Sequence, residues 1–298
     1  MPRYETPEAF RQAVEQRLRS GAGGGDEFNR RRQFLVFDRF LARIGEVMKE
    51  TAILKGGVAL ELRLTRSRTT KDVDLRYSGP PERLLEQMKR AADLDLGDWM
   101  RFGIAPDAEW QGARAEAVRF EGLRFRAECS IAGKIFGQPF GVDVAFDDPI
   151  LGEPVARQAE NLLGFAGVRP PTILLYPIET HIAEKLHAYT MPRTRPNTRV
   201  KDLPDLALLG TIQPLDAERL RSAIRLSFEF RGTHAVPERL PDPPTAWSFP
   251  YAQMANEDQL VWPDLASVKK AAADYLDPLL AGAATRTWDF RQGLWTPA

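Results

Sequence analysis

The most constraining stretch of this chain is a short apolar run, Ala52-Ile53-Leu54, that stops at Lys55-Gly56-Gly57 and is followed within twenty residues by Asp72-Val73-Asp74-Leu75. The run reads as a strand, Val58 to Leu64 as a short helix, and Thr69 to Tyr77 as a second strand. Side chains at i and i+2 of a strand share a face, so Asp72 and Asp74 point the same way. Two carboxylates on one face repel unless a cation sits between them. Magnesium, a hard ion that takes oxygen ligands and substrate phosphates, is the natural candidate. A glycine pair ahead of a helix lets backbone amides approach a phosphate closely, and the positive end of the helix dipole adds to the attraction. On this reading Asp72 and Asp74 are metal ligands, and Gly56 and Gly57 bind nucleotide.

The rest of the first half supplies the frame. Thr6 before Pro7-Glu8 starts a helix that runs to about Arg19 and ends in Ser20-Gly21-Ala22-Gly23-Gly24-Gly25. Phe34, Phe37, Leu41, Ile44 and Met48 place an apolar stripe on one face of a second helix. Pro80 to Ala92 is helical, and Leu123 to Ile131 and Phe140 to Phe146 read as antiparallel strands joined around Gly133 to Gly137. Asp143 lies in the apolar strand Phe140-Gly141-Val142-Asp143-Val144-Ala145-Phe146, where a charge is costly without a partner. It reads as a third metal ligand that also handles the proton of an attacking hydroxyl, or else as an outward-facing acid on a half-exposed strand. Asp147 and Asp148, just before Pro149, look like turn residues. Cys129 reads as a small buried apolar residue in a strand.

Beyond Pro149 the character changes. Pro170-Pro171 and Pro177 bracket the apolar run Thr172 to Tyr176, and the remainder of the chain is mainly helical. Ile178, Ile182, Leu186 and Tyr189 form one stripe, a Pro-rich stretch covers Pro237 to Pro250, and a last amphipathic helix covers about Leu265 to Leu280. The fold class expected is therefore α+β: a mixed sheet with flanking helices over residues 1–170, then a mainly helical C-terminal domain over 171–298. Lys185 borders the apolar stripe, and its ammonium reads either as a point charge for a triphosphate or as a snorkelling surface group. His181 reads as a polar-face residue. Asp202 reads as the cap of a further helix with Asp205 in its first turn, which explains both acids locally.

Composition narrows the functions. Lys plus Arg and Asp plus Glu are both 41, which excludes binding driven by overall basicity and leaves a local basic groove open. Arg66, Arg68 and Lys71 would line such an acceptor path, or stand as isolated surface charges. One cysteine and three scattered histidines exclude an internal disulfide and argue against zinc. The N-terminal MPRYETPEAFRQ carries no apolar run, and no stretch approaches the roughly 18 apolar residues of a membrane span. The expected compartment is the cytoplasm, with no membrane partner.

Taken together, these segments resemble the AbiEii/AbiGii group of nucleotidyltransferase-like toxins, within the polymerase-beta-like nucleotidyltransferase superfamily. The resemblance is carried by Gly56-Gly57-Val58-Ala59-Leu60, Arg68-Thr69-Thr70-Lys71-Asp72-Val73-Asp74-Leu75, Asp143, Glu179-Thr180-His181-Ile182-Ala183-Glu184-Lys185-Leu186 and Arg199-Val200-Lys201-Asp202-Leu203-Pro204-Asp205-Leu206, and more loosely by Phe230-Arg231-Gly232-Thr233-His234. It implies a nucleotidyltransferase-type sheet domain and an enzyme using Mg2+ and a nucleoside triphosphate. It further implies a toxin of a bacterial toxin–antitoxin or phage-defence pair that adds nucleotides to RNA, transfer-RNA 3′ ends foremost, and that has a cognate antitoxin. It also places Lys185 and Asp202 in the active site. Many members carry Gly-Ser where this chain has Gly56-Gly57, so a serine hydroxyl available for phosphate or metal is missing. A protein or small-molecule acceptor, or a non-catalytic nucleotide-binding module, are the alternatives. A transfer-RNA acceptor requires a basic stripe leading to the aspartates, a protein acceptor an apolar groove.

Overall fold

A computed structural model describes residues 4–64, 70–107, 122–146, 148–194, 196–284 and 286–296. The chain divides into two compact units, one comprising Met1–Val58, Thr70–Asp148 and Pro154–Leu175, the other Ala59–Thr69, Pro149–Glu153 and Tyr176–Ala298.

The first unit opens with α1 (Pro7–Ser20), whose Thr6 hydroxyl accepts from the Ala9 amide at 3.2 Å as its cap. The second helix, α2 (Gly25–Met48), differs from the expected one-sided stripe, because every residue from Leu35 to Ile44 is buried. Its two buried arginines tolerate this because Asp98 accepts from Arg39 Nε at 2.7 Å and from Arg43 Nη1 and Nη2 at 2.9 and 2.7 Å. A buried guanidinium held by a carboxylate need not stay at the surface.

The strands are β1 (Ala52–Lys55), β2 (Asp72–Tyr77), β3 (Met100–Pro106), β4 (Gly122–Ile131), β5 (Lys134–Ile135), β6 (Phe140–Phe146), β7 (Val155–Gln158) and β8 (Thr172–Leu175), with α3 (Gly56–Arg63) after β1 and α4 (Pro81–Asp93) after β2. They form a mixed sheet ordered β3-β4-β6-β2-β1-β8-β7, with β5 paired to β4. β2 runs parallel to β6 and β1 parallel to β8, while the other pairs are antiparallel. Strict alternation along β2 buries Val73, Leu75 and Tyr77 and leaves Asp72, Asp74 and Arg76 half-buried. The buried face of β6 meets α2 through Phe140, whose ring lies 5.1 and 5.3 Å from those of Phe37 and Phe40. The aspartates therefore occupy the face opposite α2. Cys129 is buried in β4, as its apolar neighbours predict, and burial pushes its thiol up to about 12.

The second unit holds α5 (Ile178–Thr190), α6 (Asp202–Leu209), α7 (Ala217–Arg231), α8 (Ser248–Glu257) and α9 (Leu265–Leu280) around one apolar core that includes Ile182, Leu186, Leu206, Leu220 and Tyr275. Asp216 caps α7 by accepting from the Arg219 amide at 2.8 Å. A small sheet of β9 (Leu215–Asp216), β10 (Thr287–Asp289) and β11 (Leu294–Trp295) completes the unit. No helix among the described residues is long and apolar enough to cross a membrane.

Candidate active site

At the end of β1 the backbone turns at Gly56, which adopts φ +68° in the left-handed region that favours glycine. A Cβ at this position would also collide with the carboxylate of Asp74. The sequence pattern puts the glycine pair ahead of a helix beginning at Val58. In the structure Gly56 and Gly57 are the first residues of α3, so their amides belong to the open N-terminal turn itself.

Strand register assembles the charged face. Lys55 on β1 pairs with Asp74 on β2, Asp74 with Asp143 on β6, and Asp143 with Arg124 on β4. Paired residues of neighbouring strands project to the same face, giving a row of cation, acid, acid, cation across four strands, with Asp72 one step along β2. Arg124 ties the acids together. Its Nη1 donates to Asp143 Oδ1 and Oδ2 at 3.1 and 2.9 Å, and its Nη2 donates to Asp72 Oδ1 at 3.0 Å. Its Nε stands 3.6 Å from Asp107 Oδ2. Asp72 Oδ1 also accepts from the Gly141 amide at 3.2 Å. Any side chain at Gly141 would run into both Arg124 and Asp72. Burial, and then the neighbouring Asp74, push the Asp143 carboxyl up to about 6 against the pull of Arg124, with Asp72 adding to the rise.

Arg124 is invisible to sequence reasoning. In Leu123-Arg124-Phe125-Arg126 it is an ordinary polar position of an alternating strand, and only the register sets it against Asp143. Asp148 is a second departure. Read from the sequence only as a turn residue, it is buried and forms an ion pair with Lys55 Nζ, while its carbonyl accepts from Arg76 Nε at 2.6 Å. Lys71 is exposed. Arg66, Arg68 and Asp147 lie outside the described residues.

The donor set suits a hard divalent ion. Among the described residues no three His, Cys, Asp or Glu side chains converge as a ready-made metal cage. Magnesium does not require one, since it binds through one or two carboxylates and completes its shell with water and substrate phosphates. Asp72 and Asp74 share a face, and a guanidinium already stands between Asp72 and Asp143 as a cation held by carboxylate oxygens.

In the second unit, Lys185 is not a snorkelling surface group. Its ammonium lies 3.2 Å from Asp202 Oδ1 and 2.7 Å from Asp205 Oδ2, with 14% of the side chain exposed. Asp202 does not cap α6. It is the first residue of that helix, makes no capping bond and instead holds Lys185 and Arg199, the latter at 3.3 Å. His181, expected on a polar face, is buried, because α5 is enclosed on most of its circumference.

No curated protein matches the chain. Among solved structures, MenT4, a nucleotidyltransferase toxin from Mycobacterium tuberculosis, superposes with a TM-score of 0.50 at 16% identity over 92% of this chain and 99% of that chain. JHP933 from Helicobacter pylori matches at a TM-score of 0.47, also at 16% identity, over 84% of this chain and 92% of that one. At such identity the likeness to MenT4 is one of fold. The family model described as nucleotidyl transferase AbiEii toxin, type IV toxin–antitoxin system, matches residues 39–294, which include both glycines, Asp72, Asp74, Asp143, Lys185 and Asp202. The chain belongs to the AbiEii family of nucleotidyltransferase toxins of type IV toxin–antitoxin systems.

Proposed function

We propose that the chain is a Mg2+-dependent enzyme that transfers a nucleotide from a nucleoside triphosphate to the 3′ end of an RNA, transfer RNA foremost, in the bacterial cytoplasm, and that a cognate antitoxin restrains it. The observation that carries this reading is the juxtaposition of Asp72, Asp74 and Asp143 on one sheet face, with Asp74 packed against Gly56 at the start of α3.

Asp72, Asp74 and Asp143 would hold the metal. Bound there, Mg2+ neutralises triphosphate charge and polarises the phosphoryl group under attack. The amides of Gly56 and Gly57 cradle phosphate oxygens at the α3 N-terminus. Asp143 orients the acceptor hydroxyl and takes its proton as the new O–P bond forms at the α-phosphorus and the bond to the β-phosphate oxygen breaks. Lys185, held by Asp202, is assigned a phosphate-binding role from its family motif. The work is mostly positioning and electrostatics.

Incubating the protein with Mg2+, total RNA and each α-labelled triphosphate in turn tests the reading. Label in the transfer-RNA band, lost with EDTA, is expected. Label on protein, or none with any triphosphate, overturns it.

A further inference from the structure

The acidic face already contains a cation of its own. Arg124 engages both oxygens of Asp143 and one oxygen of Asp72, leaving Asp74 outside its reach of hydrogen bonds, and its Nε faces Asp107. We propose that Arg124 is a displaceable counter-cation: it clamps Asp143 to Asp72 while no metal is bound, and a divalent ion entering at Asp72 and Asp74 must drive it off before Asp143 is free to serve. The inference rests on the metal site proposed above.

Three features carry it. First, the competition is for shared atoms, since Asp72 Oδ1 and both oxygens of Asp143, three of the oxygens that would ligate a metal, accept from the guanidinium. A divalent ion and a guanidinium sharing them would also repel each other at close range. Second, the clamp is built rather than incidental. Arg124 is set directly opposite Asp143 by strand register, and Gly141 leaves the space that the Arg124–Asp72 contact fills. Third, the side chain has somewhere to go. One quarter of it is exposed, and Asp107 remains beside Nε as an anchor when the two Nη groups let go. A released fork held in that position would present its two Nη groups to phosphate oxygens, for which guanidinium geometry is suited. Arg124 is thus a positioning residue that couples the availability of Asp143 to metal occupancy.

Mn2+ binding without nucleotide, followed by electron paramagnetic resonance, reads this directly. Wild type, Arg124→Gln, Arg124→Lys and Asp74→Asn would be compared, each also melted in EDTA and in excess Mn2+. With the competing cation gone, Arg124→Gln should bind Mn2+ on the order of tenfold more tightly, the equivalent of one charge-assisted contact. It should also melt below wild type in EDTA and regain the difference when Mn2+ is added. Arg124→Lys, a point charge that cannot bridge two carboxylates as a fork, should tighten binding by less. A purely structural role would leave Mn2+ affinity unchanged or weaken it, and that result in folded Arg124→Gln overturns the proposal. If Arg124→Gln does not fold, tighter binding by Arg124→Lys supports it and unchanged or weaker binding overturns it. Should Asp74→Asn bind Mn2+ as well as wild type does, the metal is not at this face, and the site and the clamp fall together.

Discussion

Asp72 and Asp74 are neighbours on one strand face, yet their surroundings differ. Asp72 is bonded to Arg124 and to the Gly141 amide, whereas Asp74 adds like charge to Asp143. Substitution by Asn should therefore separate activity from stability. Both Asp72→Asn and Asp74→Asn should reduce label incorporation below a tenth of wild type. In EDTA, Asp74→Asn relieves the repulsion of Asp143 but gives up the charge set opposite Lys55, so its stability should stay within about 1 kcal/mol of wild type. Asp72→Asn should lose at most about 1 kcal/mol, the ceiling for a half-exposed ion pair. Equal activity in either variant would remove that residue from the chemistry. Lys185 calls for a different control. Asp202 and Asp205 have side chains only 5% and 0% exposed, so Lys185→Ala leaves buried acids without this cation, a change that costs roughly 3–5 kcal/mol. Its inactivity alone would prove nothing. Adding Asp205→Asn should recover much of the melting temperature, and activity that stays absent in this stable double variant would place Lys185 in the reaction.

Elements whose evidence is local are legible in the sequence. Period-two alternation reveals the strand bearing Asp72 and Asp74, Thr6-Pro7 reveals the start of α1, and the Ile178–Tyr189 stripe reveals α5. Pairing over long sequence distances is not legible. Nothing in Phe140–Phe146 announces that it lies parallel to Asp72–Tyr77, so Asp143 stands out only as a charge in an apolar strand, and Arg124 does not stand out at all. β7 is wholly exposed and β9 to β11 are two or three residues long, too short to show a period. The enclosure of α2 is hidden because its buried arginines depend on Asp98, 55 positions beyond Arg43. The seam between α5 and the residues after α7 carries a pH dependence of the same non-local kind. His187 contacts Thr233 Oγ1 at 2.7 Å and packs its ring 4.9 Å from that of Phe228. Burial, and then the charge of Arg231, hold its pKa down from 6.5 to about 4. The unfolded chain therefore binds the proton first, so this contribution to stability is complete above pH 6.5 and is lost as pH falls toward 4. The melting temperature should decline across that window, and His187→Gln should flatten the decline. An unchanged slope would mean that another group titrates.

At the scale of the whole molecule, the chain passes between its two units five times, at residues 58/59, 69/70, 148/149, 153/154 and 175/176. No single cut yields both units intact, and the last strand of the first unit lies beyond the 170/171 boundary expected from the sequence. β8 is that strand. It pairs with β1 at Leu54↔Leu175 and along its whole length with β7, and it buries Ile173 and Leu175. A fragment of residues 1–170 would expose the backbone edge of β1, which leads into the Gly56-Gly57 turn, and would leave β7 without a partner. A fragment of residues 1–175 keeps the full sheet at the cost of five more residues. Burying two aliphatic side chains contributes roughly 3–6 kcal/mol, a large share of the stability of an ordinary domain, roughly 5–15 kcal/mol. The longer fragment should therefore melt cooperatively by circular dichroism, and the shorter should show no cooperative transition or should aggregate through its open edge. Equal melting of the two would mean that β8 contributes nothing to holding β1, and that the turn at Gly56 is supported from β2 alone.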